Sequence, residues 1–167
     1  MNLREAKALI AGVNRWGVVT TQRMGHIIAH HVQGSRDYQN GSYFTDDSGS
    51  ALDASQTIQR YGGKIANLMT SRNARFMQDP RGDANSFLVV EQVPPRTGTD
   101  PRARNLQRRD HPAAGAEGPV TYGGDTCHWL VCVVKKNARR GPNEEPIIVT
   151  TAYPATQLYV QGLTALT

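Results

Sequence analysis

The chain has 167 residues, and 19 Lys+Arg against 14 Asp+Glu give it a formal charge of +5 with histidine neutral. With 38% hydrophobic and 20% charged residues, it has apolar side chain enough for one core and too little charge for a fully disordered chain, and its length suits a single domain. The apolar runs, such as the one ending at Val133-Val134, fall far short of the roughly 20 residues that a bilayer span needs. Two cysteines, Cys127 and Cys132, exclude a disulfide scaffold; on one strand an i,i+5 pair points to opposite faces and does not bond. Residues 1–16 lack the basic, apolar and small-residue order of a signal peptide, an order that would equally be missing from a domain carried within a longer exported polypeptide. Of the 19 positive residues 15 are arginine, which favours planar, bidentate contact with phosphates or carboxylates, although an Arg-heavy genome produces the same imbalance.

In chain order, Leu3, Ala6, Leu9, Ile10 and Val13 form one stripe at helical spacing and predict a first helix. A β-branched run at Val18-Val19-Thr20-Thr21 interrupts it, so that residues 1–22 form an N-terminal helix and linker. A second helix is expected from Met24 to Val32, ending at Gly34. Ser42-Tyr43-Phe44-Thr45 reads as a short strand, and Asp46, Asp47 and Ser48 are candidate N-caps of a third helix containing Leu52 and Ile58. Gly62-Gly63 is expected to break that helix, and Ile65, Leu68, Met69 and Phe76 to resume helical spacing to about residue 77. Four β-type runs follow, at 86–93, 128–135, 146–153 and 157–161. Helices first and strands second predict an α+β fold with an antiparallel sheet and no disulfides. Between the first two of these strands, residues 94–119 hold five of the nine prolines together with Arg96, Arg102, Arg104, Arg108 and Arg109. A loop of that length is commonly functional. It reads as a solvated insertion that happens to be basic or as a phosphate-gripping RNA-binding flap.

The second helix carries His26, His30 and His31. At about 100° per residue, His26 and His30 lie on one side and His31 about 140° from His26. A zinc reading lacks a third ligand and the intervening glutamate of the zincin pattern, so no metal site is expected. General acid–base chemistry suits imidazole better, because it titrates near neutral pH. In the third β-run, Val149, Thr151 and Tyr153 are expected to share one face and Ile148, Thr150 and Ala152 the other. Thr151 and Tyr153 then offer two neutral hydroxyls able to hold a phosphodiester and stabilise the charge that builds on it.

Gly25-His26-Ile27-Ile28-Ala29-His30-His31-Val32, Ser42-Tyr43-Phe44 with Asp46 or Asp47, and the closing Thr151-Ala152-Tyr153-Pro154 together resemble the RNase A-like toxin domains of bacterial contact-dependent inhibition systems, over about residues 23–155. The resemblance implies an RNase A-like core in a C-terminal toxin module of a large exported protein. Such a module acts in the cytoplasm of a target cell and is neutralised by an immunity protein. By motif, His31 matches the catalytic histidine, Thr151 and Tyr153 match the catalytic strand pair, and His26 matches the other helix histidine in either a structural or a catalytic role. The family's catalytic arginine has no counterpart, since its spacing lands on Ser42; Arg36 or an arginine of the 94–119 loop is the expected substitute.

The expected activity is a metal-independent endoribonuclease without cofactor, with tRNA among its candidate targets. His31 takes the 2′-hydroxyl proton, a 2′,3′-cyclic phosphate forms, and His26, His128 or Tyr153 protonates the leaving oxygen; His128 also reads as structural and His111 as solvated. An acidic immunity partner would complement the basic cleft. The alternatives are a non-catalytic RNA-binding module that stacks bases on Tyr43, Tyr122 or Tyr153, and a toxin acting on NAD or nucleotides.

Overall fold

The computed structural model describes residues 1–11, 13, 19–101, 126–138 and 140–167. Among them, helices α1 (Leu3–Ile10) and α2 (Thr21–Ile28) come first, and a 3-10 turn (Ala29–His31) ends α2. Strand β1 (Tyr43–Phe44) and helix α3 (Ala54–Leu68) follow, then strands β2 (Arg75–Gln78), β3 (Ser86–Gln92), β4 (Gly98–Thr99), β5 (Thr126–Cys127), β6 (Trp129–Lys136) and β7 (Ile147–Ala155), and helix α4 (Gln157–Gln161). The expected α+β class with antiparallel sheets is what the chain adopts, with both cysteines free and buried. No described helix is long and apolar enough to cross a membrane.

The main sheet runs β2-β3-β6-β7 and the small one β1-β4-β5, every pairing antiparallel. Alternating residues of β3 and β6 feed two cores. Phe87, Val89, Leu130, Cys132 and Val134 face the three N-terminal helices, whereas Leu88, Val90, Trp129, Val131 and Val133 face Val160 of α4 and the C-terminal segment. Because both faces are covered, these strands read in sequence as unbroken apolar runs rather than alternating ones. The core reaches beyond residues 23–155 at both ends. Ala6 and Ile10 of α1 and Leu166 pack into the helical-side core, and the amide of Leu3 donates to the carbonyl of Thr167 at 2.9 Å.

Several expectations change. The third helix is capped by Asp53 rather than by Asp46, Asp47 or Ser48: its side chain accepts from the Gln56 amide, and the Gln56 side chain returns the bond to the Asp53 amide. Asp46 instead closes its own loop, accepting from the amides of Ser48 and Ser50, and the Ser48 hydroxyl and these amides hold its carboxyl below the ordinary range. Asp47 pairs with Arg60. Gly62-Gly63 does not break the helix; Gly62 is buried, with Met24 of α2 3.6 Å from the place its Cβ would take. The helix continues through both glycines despite a propensity cost of about 1 kcal/mol for each. Asp53→Ala removes the side-chain acceptor for the Gln56 amide in this capping box, and a loss of about 1 kcal/mol of unfolding free energy is expected in urea titration.

Residues 75–78 form an edge strand instead of continuing a helix. Phe76 stacks on Phe87 on one face of the sheet while Met77 packs with Leu88 on the other, an alternation of period two that the wider 3–4 spacing hid. The run at 157–161 is helix, not strand: Thr156 caps it from the Tyr159 amide, and Gln157 accepts from the Trp129 indole at 2.6 Å. Five residues are too few for periodicity to decide between the two. Cys127 and Cys132 lie on β5 and β6, in different sheets. The chain turns between those sheets at His128, whose Nδ1 donates to the Pro95 carbonyl at 2.7 Å.

Candidate active site

A cleft of about 580 Å³ opens where the 3-10 turn, the β2–β3 turn, β7 and α4 meet, and His30, His31, Asp79, Arg81, Thr151 and Tyr153 are among its lining residues. Of the residues expected from sequence, the structure brings His31, Thr151 and Tyr153 together here. His31 stacks on Tyr153 with ring centroids 5.0 Å apart and planes at 30°. Its Nδ1 is 2.8 Å from the Ser42 carbonyl and 3.3 Å from the Ser42 hydroxyl. A carbonyl oxygen only accepts, so Nδ1 carries a hydrogen, and in the neutral ring Nε2 holds the basic lone pair. Ser42, buried just before β1, thus sets the tautomer of His31.

His26 is exposed and does not line the cleft. His30 takes the second histidine position instead, with its Nδ1 donating to the Asp37 carbonyl at 2.8 Å. α2 tightens into a 3-10 turn at Ala29, so angles counted at 100° per residue do not apply strictly to residues 29–31. The loop of residues 37–42 therefore receives the Nδ1 hydrogens of both adjacent histidines on two of its carbonyls.

The third β-run contains a bulge that simple alternation misses. Val133 pairs with Thr151 and Val134 with Val149, leaving Thr150 as the extra residue of β7. The bulge reverses the facing of the strand, and Val149 joins Ala152 in the helical-side core. Thr150 and Thr151 both line the cleft, as does Tyr153. The Thr151 hydroxyl donates at 3.1 Å to the carbonyl of Ile27, in the last turn of α2 where carbonyls lack helical partners. It joins β7 to the helix that delivers His30 and His31, and its hydrogen is committed there. Tyr153 shares a 2.8 Å hydroxyl–hydroxyl hydrogen bond with Tyr159 of α4. Burial, and then Tyr159 beside it, push the Tyr153 phenol well above its ordinary pKa. It remains a neutral hydroxyl, suited to hydrogen bonding rather than to carrying charge.

Arg36 does not line the cleft; its side chain is 93% exposed beside Asp37. Arg96 braces the small sheet instead of lining the cleft, donating to the Gly98 carbonyl at 3.3 Å and the Thr99 hydroxyl at 2.5 Å. Arg102, Arg104, Arg108, Arg109, His111 and Tyr122 lie outside the described residues. Tyr43 meets Tyr38 edge-on rather than entering the cleft. Sequence reasoning missed Arg81, Asp79 and Tyr159, the first two set in an Asp-Pro-Arg-Gly turn and the last on a segment read as strand. No group of three or more His, Cys, Asp or Glu side chains placed to hold a metal ion occurs among the described residues.

No protein-family model, curated protein or solved structure matches this chain.

Proposed function

We propose that this cleft belongs to a metal-independent endoribonuclease of the RNase A-like toxin kind. The observation that carries the reading is the pair of adjacent imidazoles whose Nδ1 hydrogens are both taken by loop carbonyls. Both residues line one cleft, and Nε2 is the nitrogen of each ring that would carry the proton exchange. In the proposed reaction, His31 Nε2 removes the 2′-hydroxyl proton and the 2′-oxygen attacks phosphorus. The P–O5′ bond breaks, and protonated His30 returns a proton to the leaving oxygen, yielding a 2′,3′-cyclic phosphate and a 5′-hydroxyl. Tyr153 orients the His31 ring by stacking, and Thr151 holds the helix that presents it. The wider reading follows from the resemblance: a toxin module carried on a larger exported protein, acting in a target cell and held in check by an acidic immunity protein.

The test is incubation with total RNA in EDTA, with the new ends assayed for cyclic phosphate. His30→Ala is expected to slow cleavage by about 10²-fold or more, and His26→Ala to leave the rate within about twofold of wild type, as for an exposed residue away from the reacting atoms. Equal losses in both variants would remove His30 from the mechanism. RNA that is bound but never cut, by wild type and variants alike, would replace the enzyme with a binding module, and nicotinamide release from NAD would move it to another substrate.

A further inference from the structure

We propose that Arg81 is the phosphate anchor of this cleft, presented by a turn that Asp79 holds in shape. The inference deepens the phosphodiester reading given above and rests on it for the identity of the substrate, but the anchor itself is tested without RNA. Arg81 is the single Arg or Lys among the described residues lining the cleft, and Asp79 the single carboxylate. The Asp79 side chain is 4% exposed, yet its carboxylate is satisfied without the guanidinium. One oxygen accepts the Ser86 hydroxyl at 2.6 Å and the other the Arg81 amide at 2.9 Å. The amide of Gly82 donates to the Asp79 carbonyl at 2.9 Å, and Gly82 takes φ +74°, a conformation that glycine adopts without strain. The turn is thus built from backbone and a buried acid, and the Arg81 side chain is not one of its struts.

That side chain is 72% exposed, and its Nε stands 3.7 Å from the Asp79 carboxylate. The separation is too long for a hydrogen bond and short enough for attraction. The acid therefore keeps the guanidinium near the cleft without engaging its N–H fork. A phosphate can take up the fork through two parallel bonds, the geometry guanidinium favours, and Asp79 keeps its Ser86 and amide donors when this happens. No such exchange is open to Arg96, whose fork is spent on Gly98 and Thr99.

The test is titration of the whole chain with inorganic phosphate, followed through the imidazole resonances of His30 and His31. Wild type and the variants R81Q, R81K and D79N are compared at low and moderate salt. The expected result is an Arg81-dependent shift of these resonances, with phosphate affinity reduced at least about tenfold in R81Q and less in R81K, which keeps the charge but loses the fork. The salt sensitivity of binding should be smaller in R81Q, with thermal melting unchanged in both Arg81 variants. D79N should disturb both melting and affinity. Equal phosphate affinity in wild type and R81Q overturns the proposal, as does a titration that moves neither imidazole in wild type. Phosphate binding that needs Arg81 in a protein that cuts no RNA upholds the anchor and overturns the ribonuclease reading. RNA cleavage with the same KM in wild type and R81Q does the reverse.

Discussion

His31→Asn is expected to reduce RNA cleavage by about 10²–10⁴-fold, the range that a positioned proton-transfer group contributes. Asparagine is the sharper variant because its amide can still donate to the Ser42 carbonyl, where His31 Nδ1 now stands at 2.8 Å, while the basic Nε2 is gone. His31→Ala should lose as much activity and also some stability, since it removes the ring stacked on Tyr153 as well as the bond to Ser42. A thermal melt of each variant separates the two effects. Retention of wild-type cleavage by the asparagine variant would sink His31 as the base. Unaltered RNA retardation on a gel would show that the same surface still binds its substrate.

Gly98→Ala is expected to be the most damaging single methyl group that can be added to the described glycines. A Cβ there would lie 2.2 Å from the Tyr43 carbonyl oxygen and 2.5 Å from Cγ of Pro154, and one of those neighbours is backbone that cannot rotate away. Overpacking of this kind costs about 1–3 kcal/mol and occasionally more, or a fall of several degrees in Tm for a chain of this size, taking about 2–4 °C per kcal/mol. The consequence reaches the site, because β4 pairs with β1 at Tyr43 and Phe44, and Ser42, the residue before β1, holds His31. Melting and cleavage should therefore fall together. A variant that melts as wild type does would show that β1 and β7 can part at this point without cost.

The C-terminal segment ties these effects to the rest of the molecule. Its residues complete both faces of the main sheet: Val160 seals the side opposite the helices, and Leu166 joins the helical-side core. Tyr159 reaches the cleft and bonds Tyr153. Reading residues 157–161 as a fourth β-run hid all of this, because a five-residue segment has no period to read and its cap, Thr156, looks like any strand threonine.

Features that depend on neighbours along the chain are legible in the amino-acid order. The apolar runs of β3, β6 and β7 announce strands buried in a sheet, the stripe from Leu3 to Ile10 announces a helix packed on one face, and together they specify the α+β class. Placement of His31 with Thr151 and Tyr153 was legible from the motifs that flank them. The rest came from contacts between segments far apart in the chain. Packing of the last turn of α2 against the 37–42 loop and β7 brought His30, rather than His26, to the cleft beside His31. A bulge at Thr150 is fixed by pairing with a strand distant in sequence, and it put Val149 and Thr151 on opposite faces. Burial of Tyr61, Ile65, Ala66 and Leu68 in the helical-side core carries α3 through two glycines that alone predict a break. The cleft's arginine came from a turn between strands that the sequence did not connect to the histidine helix, since what joins Arg81 to His31 is proximity in the folded chain and no spacing along it.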